Sequence, residues 1–167
     1  QKRGRLGNHK TLNIYFTADN DGVVFIVMKR RNVKGNLHNM DIQIGNNTEN
    51  IILQDIKPEY EGNLDFCRVT ICLNLEGINS NIRATIMMGE LNQLLIDLKK
   101  LNDTLRHTFV FTSLEDNINI KFDPTPSGHI KLEGYVRNNK YNAHVAFEIM
   151  TDQSYLPEMI KQLQNTI

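Results

Sequence analysis

The chain has no tryptophan, and its five tyrosines and seven phenylalanines are scattered over 167 residues. A base-stacking platform for single-stranded nucleic acid therefore has little to build on. Cysteine is almost as scarce: Cys67 and Cys72 are the only two. Both lie in the strand-like run DFCRVTICLNL, where their odd spacing puts them on opposite faces and about 16 Å apart. They cannot bond to each other. Two free thiols point to a reducing, cytoplasmic setting. The longest uninterrupted apolar run, Val23–Met28, is far too short to cross a bilayer. The opening QKRGRLGNHK has no signal-peptide pattern, so no membrane partner is expected.

Reactive motifs are missing as well. The five histidines, His9, His38, His107, His129 and His144, form no HExxH or HxH pair and have no CxxC neighbour, so no zinc site is expected. The chain has no P-loop, no GxGxxG and no GxSxG elbow. No catalytic residue, metal or cofactor is predicted. His129 and His144 fall on polar faces of strands expected to pair, which could bring them together. Two exposed sheet histidines are the plainer reading. Both cysteines read as small buried hydrophobes, not nucleophiles.

What remains is ordinary for one globular domain with a sizeable core: 40% hydrophobic and 23% charged residues. The net charge of zero conceals a division. Residues 1–39 carry eight Lys/Arg against two Asp/Glu, and residues 40–167 carry eleven against seventeen. A basic extension of +6 therefore precedes an acidic domain of −6. In the extension, TLNIYFT and GVVFIVMK read as a hairpin around an Asp-Gly turn, followed by the basic cluster MKRRNVKGN. It is either a genuine added hairpin or sequence foreign to the domain. Met40 opens the regular pattern.

From there the periodicity is mostly two. RVTICLNL, IRATIM, INIKF, GHIKLEGYV and HVAFEIM alternate apolar and polar residues, with EGINSN and RNNKYN as turns. Two segments change period. GELNQLLIDLKKLNDTL, about 89–105, lines up Leu91, Leu94, Leu95, Leu98, Leu101 and Leu105. TDQSYLPEMIKQL predicts a second helix, about 154–166, with Asp152 or Ser154 as cap, Pro157 in the first turn and Leu156, Met159, Ile160, Leu163 and Ile167 on one stripe. The expected class is α+β, an antiparallel curved sheet or sandwich packed by two amphipathic helices.

Carboxylates cluster in LQDIKPEYEGNLDF, where Asp55, Glu59, Glu61 and Asp65 surround Tyr60 in a loop-like stretch. SLEDN adds Glu115 and Asp116. Such residues read either as a solvated loop or as a negative patch, with Tyr60 as anchor, for a basic protein partner. An acidic patch disfavours nucleic acid as a direct ligand of residues 40–167.

The order ELNQLLIDLKKL, FTSLEDNINIKF, SGHIKLEGYV, HVAFEI and TDQSYLPEMIKQL resembles the WapI-like immunity family over residues 40–167. That resemblance implies a non-enzymatic bacterial protein of polymorphic, contact-dependent toxin systems. Its partner would be a cognate toxin, commonly a nuclease acting on RNA, and the acidic residues above become the toxin-binding candidates. Many relatives carry tryptophan near the strand matching residues 64–69, and its lack here suggests a different toxin. The competing reading is a non-catalytic protein- or ligand-binding module of unrelated role. A hydrolase using carboxylates with His129 or His144 is the remotest.

Overall fold

The computed structural model describes residues 41–60, 63–140 and 142–167, together with two strands in the first 40 residues. The chain divides into two compact units, Gln1–Leu37 and His38–Ile167. In the first, β1 (Leu12–Ala18) pairs antiparallel with β2 (Val24–Arg30), running from Leu12 opposite Arg30 to Ala18 opposite Val24. The expected Asp-Gly turn and the basic residues after Arg30 lie outside the described residues.

The second unit contains two antiparallel four-stranded sheets and two helices. One sheet is the meander β3 (Ile42–Gly45), β4 (Asn50–Tyr60), β5 (Asn63–Leu75) and β6 (Ile78–Met87). Helix α1 (Met88–Thr104) leads into the other: β7 (Phe109–Thr112), β8 (Ile118–Pro124), β9 (His129–Arg137) and β10 (His144–Asp152). A short 3₁₀ turn, Gln153–Tyr155, then precedes α2 (Leu156–Thr166).

Alternation decides which residues go inside. Ile51, Leu53, Val69, Ile71, Leu73, Ile82, Ala84 and Ile86 are buried from the first sheet. Ile118, Ile120, Phe122, Ile130, Leu132, Val136, Phe147 and Ile149 are buried from the second. The helices close the core with Leu91, Leu94, Leu98 and Leu101 from α1 and Leu156, Met159 and Leu163 from α2. Each such side chain contributes about 1.5–3 kcal/mol by leaving water. Leu95, Leu105, Ile160 and Ile167, expected on the same stripes, are only partly buried.

The caps follow the sequence closely. Pro157 falls in the first turn of α2, where no intrahelical partner awaits its missing N–H. Asp152 Oδ1 accepts from Ser154 N at 2.8 Å and so caps the 3₁₀ turn before that helix. One turn is tighter than expected, and one glycine sits within a strand. The β5–β6 connection is only Glu76–Gly77, because Gly77 adopts φ +76 and lets INSN enter β6. On β9, Gly134 lets β8 approach closely, since a Cβ there would collide with the Asn119 carbonyl.

Cys67 and Cys72 are both buried and unbonded to each other. Cys67 shares the inner face with Val69, and burial raises its thiol pKa. Cys72 points the other way and donates to Gln54 Oε1 at 3.2 Å.

Candidate functional site

The stretch expected as an acidic loop is a strand hairpin. β4 runs unbroken from Asn50 to Tyr60, and β5 starts at Asn63. Pro58 is tolerated because β3 reaches only as far as Leu53, which leaves β4 an edge beyond that point. On the other side, the β5–β6 ladder ends at Phe66 opposite Met87. Past these limits, among the described residues, β4 and β5 have only each other, from beyond Pro58 opposite Cys67 to Tyr60 opposite Asn63. They form a two-stranded arm leaving the sheet.

Two irregularities shape the arm. Asp55 and Ile56 together face Val69, a bulge in which Asp55 takes φ +55. Glu59 stands opposite the longer run Leu64–Phe66, a second shift of register. At the end, Tyr60 is 66% exposed. Asp65, Lys57 and Pro58 are exposed too, and Glu59 is half-buried. The hairpin thus brings Glu59, Tyr60 and Asp65 onto one projecting end, while Asp55 stays at the bulge opposite Val69, where β6 still flanks β5. Glu61 lies outside the described residues. Lys57 and Arg68 pair across the strands at the arm's base, so its acidity is concentrated toward the tip.

Glu115 and Asp116 belong to the Ser113–Asn117 turn between β7 and β8. Ser113 is buried, and its Oγ accepts from Asn117 N at 3.0 Å and Ile118 N at 3.3 Å. Asp116 adopts φ +53 and its N–H donates to Ser113 O at 2.8 Å. Its carboxylate accepts from Tyr135 Oη at 2.6 Å and pairs with Arg137. Arg137 Nε also donates to Asp116 O at 2.7 Å. Accepting that bond from Tyr135 makes the phenol harder to ionise and raises its pKa. Asp116 is therefore committed to its own chain, whereas Glu115 is exposed on the turn.

One residue that sequence reasoning missed links the two acidic elements. Glu90, in the first turn of α1, accepts from Met87 N through Oε2 at 2.8 Å. This is half of a capping box, because Met87 has no side-chain oxygen to return the bond. The other oxygen, Oε1, accepts from Leu114 N at 2.6 Å. Met87 is also the residue opposite Phe66, where the arm leaves the sheet. The base of the arm, the start of α1 and the β7–β8 turn therefore meet at one end of the domain. The only local signal for Glu90 was its position three residues after the strand end.

His129 and His144 do not come together. β9 and β10 pair, but His129 faces Asp152 and His144 faces Arg137, at opposite ends of the ladder. About 26 Å of strand separates the two positions. Among the described residues, no group of three or more His, Cys, Asp or Glu could hold a metal ion. His107 Nε2 lies 2.9 Å from Asp97 Oδ1 and its ring stacks on Phe109, joining α1 to β7. On the open face of the second sheet, Lys131 bridges Glu133 and Glu148, and their hydrogen bonds raise its pKa. No helix among the described residues is long and apolar enough to cross a membrane.

Residues 40–167 match the family model described as the immunity protein WapI-like family. No curated protein and no solved structure matches the chain.

Proposed function

The chain belongs to the WapI-like immunity protein family, and from that premise we propose that it binds and neutralises a cognate nuclease toxin without catalysing a reaction itself. Family membership supports a toxin-immunity role in general. The observation that carries the finer reading is the arm: an exposed tyrosine among carboxylates, on a strand pair extending beyond both flanking strands. A nuclease must hold phosphate in a positive field, and an acidic inhibitor can occupy that same field. The domain's charge of −6 supports this complementarity. Asp55, Glu59, Tyr60, Glu61 and Asp65 are the proposed contacts, with Glu115 beside them. Asp116 takes the role of holding the turn. The two free thiols favour the cytoplasm as the place of action.

The test is to mix the full chain with the toxin domain encoded beside it and follow RNA cleavage, complex formation and protection of cells expressing that toxin. Stoichiometric loss of cleavage and a stable complex are expected. Cleavage undiminished by excess protein would overturn the proposal, and a bound toxin with no nuclease activity would overturn its nuclease part. Residues 40–167 are proposed to be the sufficient unit. A truncation starting at Met40 should unfold cooperatively and protect as well as the full chain, and aggregation of that truncation would show otherwise.

A further inference from the structure

We infer that Leu114 is a contact residue for the toxin, fixed beside the arm so that both engage one partner. The inference rests on the reading that this protein binds a toxin. Leu114 is 64% exposed in the β7–β8 turn. Exposure alone says little, because isolated apolar residues are common on protein surfaces. What distinguishes Leu114 is the firmness of its surroundings. Its N–H is bonded to Glu90, Ser113 Oγ holds two backbone N–H groups, and Asp116 is tied to Tyr135 and Arg137. None of these bonds uses the leucine side chain, so the turn could close as well around a polar residue. An apolar group on a pre-ordered turn binds with little ordering entropy to lose.

Charge identifies the occupant. The two flanking segments, 88–98 and 108–119, contain Glu90, Asp97, Glu115 and Asp116 and no Lys or Arg. From outside these segments, Lys100 and His107 meet Asp97 and Arg137 meets Asp116. Glu90 places a carboxylate against the Leu114 N–H and Asp116 another two residues along the turn, so the partner surface is an apolar socket with a rim of Lys or Arg. The arm calls for the same chemistry. The two are continuous through Phe66 opposite Met87, Met87 N to Glu90, and Glu90 to Leu114.

The experiment measures binding of the full chain to that same toxin domain for Leu114→Asp, Leu114→Ala and Leu114→Met. Leu114→Asp should raise Kd by at least about tenfold, mainly through faster dissociation, with an unchanged melting temperature. Leu114→Met should bind nearly as wild type, because the contact stays apolar. If Leu114→Asp lowers the melting temperature, Leu114→Ala decides by the same criterion. Wild-type affinity in both the Asp and Ala variants overturns the role of Leu114 while leaving toxin binding intact. No binding by the wild-type chain overturns the reading beneath it as well.

Discussion

Glu90 and Leu114 are joined by a 2.6 Å hydrogen bond from the Leu114 N–H to Glu90 Oε1, across 24 residues of sequence. The other carboxylate oxygen caps α1 through Met87 N at 2.8 Å. One side chain thus satisfies a helix start and pins a turn of the opposite sheet. A negative charge in the first helical turn also opposes the positive end of the helix dipole.

Removing that carboxylate should be felt at both places. Glu90→Ala leaves two N–H groups without their acceptor and is expected to destabilise the fold by about 1–3 kcal/mol. Glu90→Gln keeps one acceptor oxygen and should lose less. Urea unfolding reads the difference as a shift in midpoint at constant slope. A Glu90→Ala midpoint equal to that of the wild type would show that the turn and helix hold without this brace.

The second helix gives a sharper contrast between neighbouring positions. Leu163 is fully buried in the core, whereas Lys161 is exposed and reaches Glu158 at 3.5 Å. Leu163→Asp places an unpaired carboxylate among apolar side chains and should cost several kcal/mol. Lys161→Ala should change stability by less than about 0.5 kcal/mol. Similar melting temperatures for the two variants would mean that α2 is not docked through this stripe.

Asp97 predicts a dependence on pH. Burial pushes its carboxyl pKa up, but hydrogen bonds from Gln93 and His107 and the nearby charges outweigh this and hold it below the usual value. A carboxylate with a lowered folded pKa stabilises at pH values above the unfolded value, and that stabilisation fades as pH falls through the folded one. Wild type should therefore exceed Asp97→Asn in stability at neutral pH, and the gap should close below about pH 4. Urea midpoints at pH 7, 5 and 3 measure it. A gap of constant size would show that the Asp97 charge is not what matters there.

Much of this architecture was legible because the core strands alternate so regularly. INIKF, HIKLEGYV and HVAFEIM lie in β8, β9 and β10, and the leucine stripe marks α1 to within a residue at each end. Turn-like residues misled where tertiary context overrode them. Pro58 reads as a loop residue until the pairing with β3 is seen to stop at Leu53 of β4, and Ile78–Asn81 read as part of a turn until Glu76–Gly77 is seen to close the hairpin. His129 and His144 share paired strands, but register, which alternation does not reveal, sends them to opposite ends. The brace from Glu90 to Leu114 had no local pattern at all, because it exists only once two sheets and a helix are assembled. Legibility therefore fell off where the proposed site is built, at the junction of separate elements.

The arm supplies the last expected outcome. Its tip carries Tyr60, Glu59 and Asp65 beyond the ends of both flanking strands, and Glu61 follows Tyr60 in the chain. Changing Glu59 and Glu61 together to lysine alters the local charge by four. Stability is expected to move little, by about 0.5 kcal/mol, since Glu59 is not part of the buried core. Binding should respond through encounter, since like charges facing a basic toxin remove the steering that speeds association. The association rate is expected to fall roughly tenfold at low salt. At high ionic strength the difference should shrink, as the Debye length drops from about 30 Å at 0.01 M to about 8 Å at 0.15 M. A dissociation rate that rises while association is unchanged would place these glutamates in close packing and not in steering. Unchanged kinetics at both salt concentrations, with full protection of toxin-expressing cells, would remove the arm from the interface and leave Leu114 to be tested without it.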